Sequence, residues 1–183
     1  MDSINEISEE KNPVLLKVEQ VTHKFDYPLF NNTDTYSLSI DELTKLRRYD
    51  YGIIFQAHYL FRGFNAMQNL EIAQFLSNEK IDMDLLKLLK IDHVLQQNVG
   101  ELSGGQQQRL SIARILSKKP KIIFADEPTG NLDKQTAFDV IDALFDYTFK
   151  NNAGMILVTH EEDLAYKCDS VYKLENEQLI KVK

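Results

Sequence analysis

The chain has 183 residues, of which 43% are hydrophobic and 27% charged, and its formal net charge is −7. This length and composition predict an ordinary globular domain with a substantial core, not a disordered or fibrous chain. The acidic balance argues against a duplex nucleic-acid binder, and the single cysteine excludes a disulfide framework and a cysteine-built zinc site. The longest apolar runs are four residues, as at 155–158, so we expect neither a transmembrane segment nor a signal peptide.

The first part of the chain predicts a tail, a strand, a loop and a short helix. Residues 1–13 are polar and acidic and are expected to form a loose tail, whereas residues 15–21 alternate as a strand does. Residues 26–38 contain Asp, Pro and Asn with little periodicity, which predicts a loop. Ser39 and Glu42 have the spacing of a capping box, which predicts a helix through Arg48.

The rest of the chain alternates strand and helix patterns. Apolar runs predict buried strands at residues 51–56, 121–125 and 155–159. Helical periodicity is found in a mainly helical block at 57–101, which holds helices at 67–76 and 85–89, and then at 104–116, 133–145 and 161–168. Residues 170–182 predict a hairpin that turns at 175–177. Buried strands that alternate with helices favour an α/β fold with a parallel sheet.

Residues 102–109 read Leu-Ser-Gly-Gly-Gln-Gln-Gln-Arg and open a predicted helix. Two glycines at a helix N-terminus let a phosphate approach the free N–H groups, and the helix dipole favours an anion. A Gly-Gly pair alone is also an ordinary helix start, but the full octet resembles the signature motif of the ATP-binding-cassette (ABC) ATPases. The resemblance implies that Ser103, Gly104, Gly105 and Gln106 contact a nucleotide.

Two adjacent carboxylates, Asp126 and Glu127, end the predicted strand at 121–125. At the carboxyl end of a strand, Asp126 can hold Mg²⁺ through water while Glu127 polarises the attacking water, which is the division of roles that phosphoryl transfer needs. Solvated acids at a strand end are the alternative, but the following Pro-Thr-Gly makes the segment resemble the Walker B motif of ABC proteins. Residues 131–133, Asn-Leu-Asp, resemble their D-loop, which implies a nucleotide contact for Asp133.

Three further positions fall in the order of the same family. Residues 52–56 resemble the strand that leads into the Q-loop, which implies that Gln56 contacts the Mg²⁺ and water region. Residues 156–160 resemble the H-loop, which implies that His160 touches the γ-phosphate. Residues 16–25 resemble the first strand of the family, after which Phe25 falls where an aromatic ring stacks on adenine; a strand-end Phe in the core is the alternative.

The resemblance covers roughly residues 15–183, and residues 37–48 add a likeness to the group that serves lipoprotein-release and macrolide-export permeases. It implies a P-loop NTPase-like parallel sheet, a helical subdomain at 57–101 and a small antiparallel β lobe, all within one truncated ATP-binding domain at 14–183. The implied cofactors are ATP and Mg²⁺. The implied partners are a membrane permease and a second ATP-binding subunit, with no nucleic acid, and the implied location is the cytoplasmic side of the cell membrane, held peripherally.

The P-loop, Gly-x-x-x-x-Gly-Lys followed by Ser or Thr, is absent from the sequence, because none of the seven glycines is followed by Lys. In the family this motif lies between the adenine-stacking aromatic and the Q-loop. The short interval between Phe25 and Gln56 therefore indicates one internal deletion of about forty residues, which removed the P-loop strand and the following helix. We expect the strand at 155–159 to be left as an exposed apolar edge, or residues 170–174 to occupy the gap beside it.

Several functional hypotheses remain open at this point. The chain is a transporter ATP-binding subunit that is inactive alone, a non-catalytic partner that supplies its signature motif to a subunit with a P-loop, or a non-functional remnant. A chromosome-maintenance or DNA-repair ABC ATPase is disfavoured, because residues 57–101 leave no room for the long coiled coil of those proteins.

Overall fold

A computed structural model describes residues 16–21, 25–30, 33–130, 132–175 and 178–183. The predicted tail at 1–13 lies outside the described residues. The chain divides into two compact units, Met1–Ser39 and Ile40–Lys183.

The N-terminal unit contains a three-stranded antiparallel sheet. Its strands are β1 (Leu16–Val21), β2 (Phe25–Phe30) and β3 (Thr33–Asp34), in that order, and a 3₁₀ turn follows at Thr35–Ser37. The predicted strand at 15–21 is confirmed over the described residues. The predicted loop at 26–38 is wrong, since it contains most of β2 and all of β3. Pairing of β2 with β1 along its length outweighs the turn-forming residues Asp26 and Pro28, and a reading of local composition cannot detect such pairing.

The second unit opens with a helix that changes its pitch. α1 (Ile40–Lys45) begins directly after Ser39, as predicted, and continues as one π-helical stretch at Leu46–Asp50. The chain then enters the central sheet.

The central sheet is parallel and confirms the predicted pairing. Its strands are β4 (Tyr51–Ile54), β5 (Ile122–Asp126) and β6 (Gly154–Val158), with β5 in the middle. β4 is two residues shorter than predicted, and Phe55 and Gln56 are exposed beyond its end. Within the described part of the chain this sheet has three strands, so β6 forms an edge, as expected for a fold without the P-loop strand.

Two long helices form the core with the sheet. The helices are α4 (Gly104–Leu116), with the predicted bounds, and α5 (Lys134–Asn151). α5 begins at the predicted cap, because the Asp133 side chain accepts a hydrogen bond from the Thr136 N–H at 3.1 Å. α4 lies close to β4, where Gly52 faces Ile115 and Pro120. The fully buried side chains include Ile54, Leu110, Ile112, Leu116, Ile123, Ile141 and Leu144.

The block at 57–101 is helical, as predicted. It contains α2 (Ala66–Ser77), α3 (Met83–Leu88) and two 3₁₀ turns at Asp92–Val94 and Val99–Glu101. α2 starts in a capping box formed by Asn65 and Gln68. The buried Asn69 exchanges hydrogen bonds with the backbone N–H and C=O of Phe61, which fixes the segment before α2.

The C-terminal part contains a short helix and a hairpin. α6 (Glu162–Ala165) is shorter than the helix predicted at 161–168, because the chain turns after Ala165. β7 (Tyr172–Glu175) and β8 (Gln178–Lys181) form the predicted hairpin as a separate two-stranded sheet, so β7 does not occupy the position beside β6. None of the described helices is both long and apolar enough to cross a membrane.

Candidate functional site

Three of the predicted site segments meet at the carboxyl ends of the parallel strands. Gln56 follows β4, Asp126 and Glu127 end or follow β5, and His160 follows β6. Because the three strands are parallel and in register, their carboxyl ends lie side by side, where α/β sheets bind ligands. The structure therefore brings together residues that are more than one hundred positions apart in the chain.

Glu127 and His160 are in direct contact. The Glu127 carboxylate oxygen Oε1 accepts a hydrogen bond from the His160 backbone N–H at 3.0 Å and lies 2.8 Å from the ring nitrogen Nδ1. The side-chain hydrogen bond between the imidazole and the Glu127 carboxylate, together with the negative charges of Glu127 and Glu161, raises the pKa of His160 above its ordinary value. The carboxylate thus fixes both the position of the imidazole and the nitrogen that carries its proton.

The backbone of Glu127 is held in an unusual conformation. Its φ is +45°, in the left-handed region that costs a residue other than glycine about 1 kcal/mol or more. Two hydrogen bonds hold it there, from the Glu127 N–H to the Val158 carbonyl at 3.0 Å and from the Gly130 N–H to the Glu127 carbonyl at 3.2 Å. The second carboxylate oxygen, Oε2, is buried and has no hydrogen-bond partner among the described residues.

Gln56 lies against the turn that follows β5. A Cβ placed on Gly130 would stand 3.1 Å from the Gln56 amide nitrogen Nε2 and 3.6 Å from its Cγ. The absence of a side chain at Gly130 thus allows the Gln56 side chain to reach the Walker B-like segment. Asp126 itself is exposed at the end of β5.

Gln108 is a functional candidate that the sequence analysis missed. Its side chain is 2% exposed, and its amide nitrogen donates to the Pro128 carbonyl at 2.7 Å and lies 3.5 Å from the Phe55 carbonyl. It thus connects α4 to the segments that carry both Gln56 and Glu127. The residue belongs to the conspicuous octet at 102–109, but a third glutamine in a row at the start of a helix indicates nothing about which one is buried.

The N-terminus of α4 is open and regularly capped. Ser103 and Gln106 form a capping box, in which the Ser103 hydroxyl accepts from the Gln106 N–H and the Gln106 side chain accepts from the Ser103 N–H. A Cβ on Gly104 would meet nothing within 4 Å, whereas one on Gly105 would lie 3.3 Å from a methyl of Leu132. The four predicted signature residues therefore form an accessible helix N-terminus of the kind that binds phosphate.

The last two predicted nucleotide contacts are Asp133 and Phe25. Asp133 is the N-cap of α5, and the hydrogen bonds from the Thr136 hydroxyl and N–H lower the pKa of its carboxyl group. Phe25 is the first residue of β2 in the N-terminal unit.

A cleft of about 480 Å³ opens next to His160. It is lined by Thr129, Gly130, Leu132, Lys134, Ala137, His160, Glu161, Glu162 and Asp163. Three carboxylates against one lysine make this wall unfavourable for a triphosphate. This cleft therefore does not fit a triphosphate.

The family described as ABC transporter matches residues 15–130 of the sequence, which is more than half of the chain. The chain belongs to the ABC transporter family. A relative, the lipoprotein-releasing system ATP-binding protein LolD of Neorickettsia sennetsu (strain ATCC VR-367 / Miyayama), is 40% identical over 143 residues, which cover 75% of this chain and 64% of the relative. LolD of Rickettsia typhi (strain ATCC VR-144 / Wilmington) is 41% identical over 137 residues, covering 72% of this chain and 62% of the relative. The chain thus spans slightly less than two thirds of the length of these relatives.

Solved ABC cassettes share the fold. The dimeric structure of MJ0796, a bacterial ABC transporter cassette, has a TM-score of 0.75 and 30% identity, and the match covers 86% of this chain and 76% of that one. The same cassette in a post-hydrolysis state with ADP and Pi gives a TM-score of 0.74 with 29% identity over the same shares of the two chains. The resemblance to ABC ATP-binding subunits and the P-loop NTPase-like fold class are both confirmed.

Proposed function

We propose that this chain is an ATP-binding-cassette subunit that docks peripherally on the cytoplasmic side of a membrane permease and pairs with a second subunit that carries a P-loop. In that pair its α4 N-terminus faces the phosphates of ATP held by the other subunit. The similarity to LolD, the ATP-binding protein of a lipoprotein-releasing system, supports a system of that type, and the solved dimer of a similar cassette supports pairing.

The observation that carries the proposal is an asymmetry between the two halves of a cassette site. The signature half is complete, because Ser103, Gly104 and Gly105 form an open and capped helix N-terminus. The phosphate-cradling half is absent, because the sequence has no Gly-x-x-x-x-Gly-Lys. Phosphoryl transfer depends mainly on positioning and charge stabilisation, so we expect a chain without the cradle to hydrolyse no ATP alone.

The remaining residues of the site then have a positioning role in this chain. Glu127 holds His160, Gln56 lies on the Gly130 turn, and Gln108 connects both segments to α4. In a site with a bound Mg²⁺ and ATP, such carboxylate and amide groups supply a metal ligand and a water-polarising base. In this chain they maintain the shape of the loops beside α4, and we assign them no catalytic step.

ATP turnover by a mixed pair tests the proposal. The purified chain is combined with a P-loop-bearing LolD homologue in which the signature serine is blocked, so that the only intact composite site uses α4 of this chain. We expect turnover from the mixture and none from this chain alone. Ser103→Arg in this chain should abolish turnover, because the long side chain blocks phosphate approach, whereas Ser103→Gly, which costs a few tenths of a kcal/mol as a cap, should retain most of it.

Glu127→Gln in this chain is the matched control, because it tests which of the two subunits holds the reacting phosphates. It should leave turnover of the mixed pair nearly unchanged, because the reacting phosphates lie on the other subunit. Turnover by this chain alone that disappears with Glu127→Gln would show that the proposal is wrong, and so would a mixture that is insensitive to Ser103→Arg.

A further inference from the structure

One edge of the parallel sheet has backbone groups with which no strand of the described part of the chain pairs. In a parallel ladder alternate residues bond to the neighbouring strand. The Gly154 N–H donates to the Lys121 carbonyl and the Val158 carbonyl accepts from the Glu127 N–H, which places residues 154, 156 and 158 on the β5 side. The N–H and C=O groups of Met155 and Leu157 therefore point to the opposite edge, where no strand of the described part of the chain pairs with them.

At the other edge of the sheet a lysine occupies the first outward-facing carbonyl of β4. By the same alternation, the Tyr51 carbonyl of β4 points away from β5, and it accepts a hydrogen bond from the Lys118 ammonium group at 2.9 Å. Lysine at an edge is a common device against further strand pairing. β6, in contrast, reads Gly-Met-Ile-Leu-Val, with neither a charge nor a proline. Of the two edges, β6 is the one suited to accept another strand.

The side chains of β6 are complementary to a second copy of themselves. Ile156 is 42% and Val158 is 54% exposed, and with Gly154 they share one face of the strand. In an antiparallel pairing centred on Ile156, Met155 lies opposite the partner's Leu157, and each such pair exchanges both of its N–H···O bonds. On the exposed face, Ile156 meets the partner's Ile156, and Val158 lies over the partner's Gly154, which has no side chain to oppose it.

We infer that this chain forms a two-fold dimer through its β6 edges, which makes one continuous six-stranded sheet from two three-stranded ones. A two-fold axis perpendicular to the sheet is the only closed symmetry that pairs identical edge strands, and it gives the antiparallel arrangement. The dimer needs no nucleotide and does not use α4, so it is distinct from the proposed pairing of α4 with a P-loop-bearing subunit. Because short strands bury little area, we expect dissociation in about the micromolar range.

Charge substitution at the two-fold position tests the inference. Sedimentation velocity of the whole chain, without nucleotide and with a chelator, should show a dimer that dissociates on dilution. Ile156→Lys and Ile156→Glu each place like charges directly opposite one another and should each weaken the dimer about tenfold or more. An equimolar mixture of the two variants should restore it, because the opposing charges then attract. Phe149→Lys, which changes an 89% exposed side chain on α5, is the matched control and should leave the dimer unchanged.

A cross-linking variant gives an independent test, because a covalent dimer is a positive signal that misfolding of a variant does not imitate. With Cys168 replaced by Ser, Ile156→Cys should form a disulfide-linked dimer under mild oxidation, because the two positions face each other across the axis. Phe149→Cys should not form one. The inference is wrong if the unmodified chain remains monomeric up to about 100 μM, if the two charge variants fail to associate when mixed, or if both cysteine variants cross-link equally.

Discussion

The close approach of α4 to the sheet at Gly52 can be tested with one methyl group. A Cβ at Gly52 would lie 2.7 Å from the Ile115 methyl Cγ2, 2.9 Å from the Pro120 Cγ and 3.2 Å from its Cβ. Two of these contacts are shorter than any that real Cβ atoms show. Neither neighbour can move easily, since one is a branched methyl close to the α4 backbone and the other is a proline ring. We therefore expect Gly52→Ala to push α4 away from β4.

The expected magnitude follows from two opposing terms. Overpacking a core typically costs 1–3 kcal/mol, and the stiffness of these neighbours favours the upper part of that range, at about 2.5 kcal/mol. Replacing glycine by alanine also restricts the unfolded chain, which stabilises by about 0.5 kcal/mol. The free energy of unfolding should therefore fall by about 2 kcal/mol. Gly63→Ala is the matched control, because nothing lies within 4 Å of its added Cβ, and it should change stability by less than about 0.5 kcal/mol.

Urea unfolding followed by tyrosine fluorescence and far-ultraviolet circular dichroism measures both variants, since the chain has eight tyrosines and no tryptophan. Ile115→Leu removes the clashing methyl while keeping the volume, so the double variant should recover about 1 kcal/mol relative to additivity. If Gly52→Ala is as stable as Gly63→Ala, or if Ile115→Leu gives no recovery, the close packing of α4 on β4 at this point is refuted.

Two further predictions concern the site. Because Glu127 raises the pKa of His160, Glu127→Gln should lower that pKa towards about 6.5, as measured by an NMR titration of the imidazole. The Glu127–His160 pair stabilises the folded chain below about pH 6.5, and this stabilisation is lost as the pH rises through the folded-state pKa of His160. An unchanged titration in Glu127→Gln would contradict the contact. Gln108→Met leaves the buried Pro128 carbonyl without its donor and should lower the free energy of unfolding in urea by about 1–2 kcal/mol. The control, Gln135→Met on the exposed face of α5, should lower it by less than about 0.5 kcal/mol. Equal losses in the two variants would show that the Gln108 hydrogen bond is unimportant.

Local signals in the sequence were sufficient for the elements around the site. The octet at 102–109 predicted the start of α4, Asp133 predicted the start of α5, and three apolar runs predicted the parallel strands within two residues. These features are short-range, because caps, glycine pairs and apolar runs act within one element. The predicted positions of Gln56, Glu127 and His160 at one sheet edge then followed from the parallel arrangement.

Non-local contacts account for what could not be predicted. β2 forms because residues 25–30 pair with 16–21, which overrides its turn-forming composition. The contact of Glu127 with His160 depends on the register that pairs Asp126 with Val158, and no sequence pattern gives that register to the nearest residue. Gln108 was missed for the same reason, because its acceptor, Pro128, comes from a different element.

The two polar attachments of α4 restrict how this helix can move. Gln108 holds its second turn to the Pro128 carbonyl, and Lys118, two residues beyond its end, holds the Tyr51 and Arg47 carbonyls at 2.9 and 3.0 Å. These anchors are ten positions apart, or about 15 Å along a helix axis. A rod fixed at two separated points resists tilting about either one. We therefore expect a force on the exposed Ser103 end to move α4 as a whole, together with the Pro128 turn and β4.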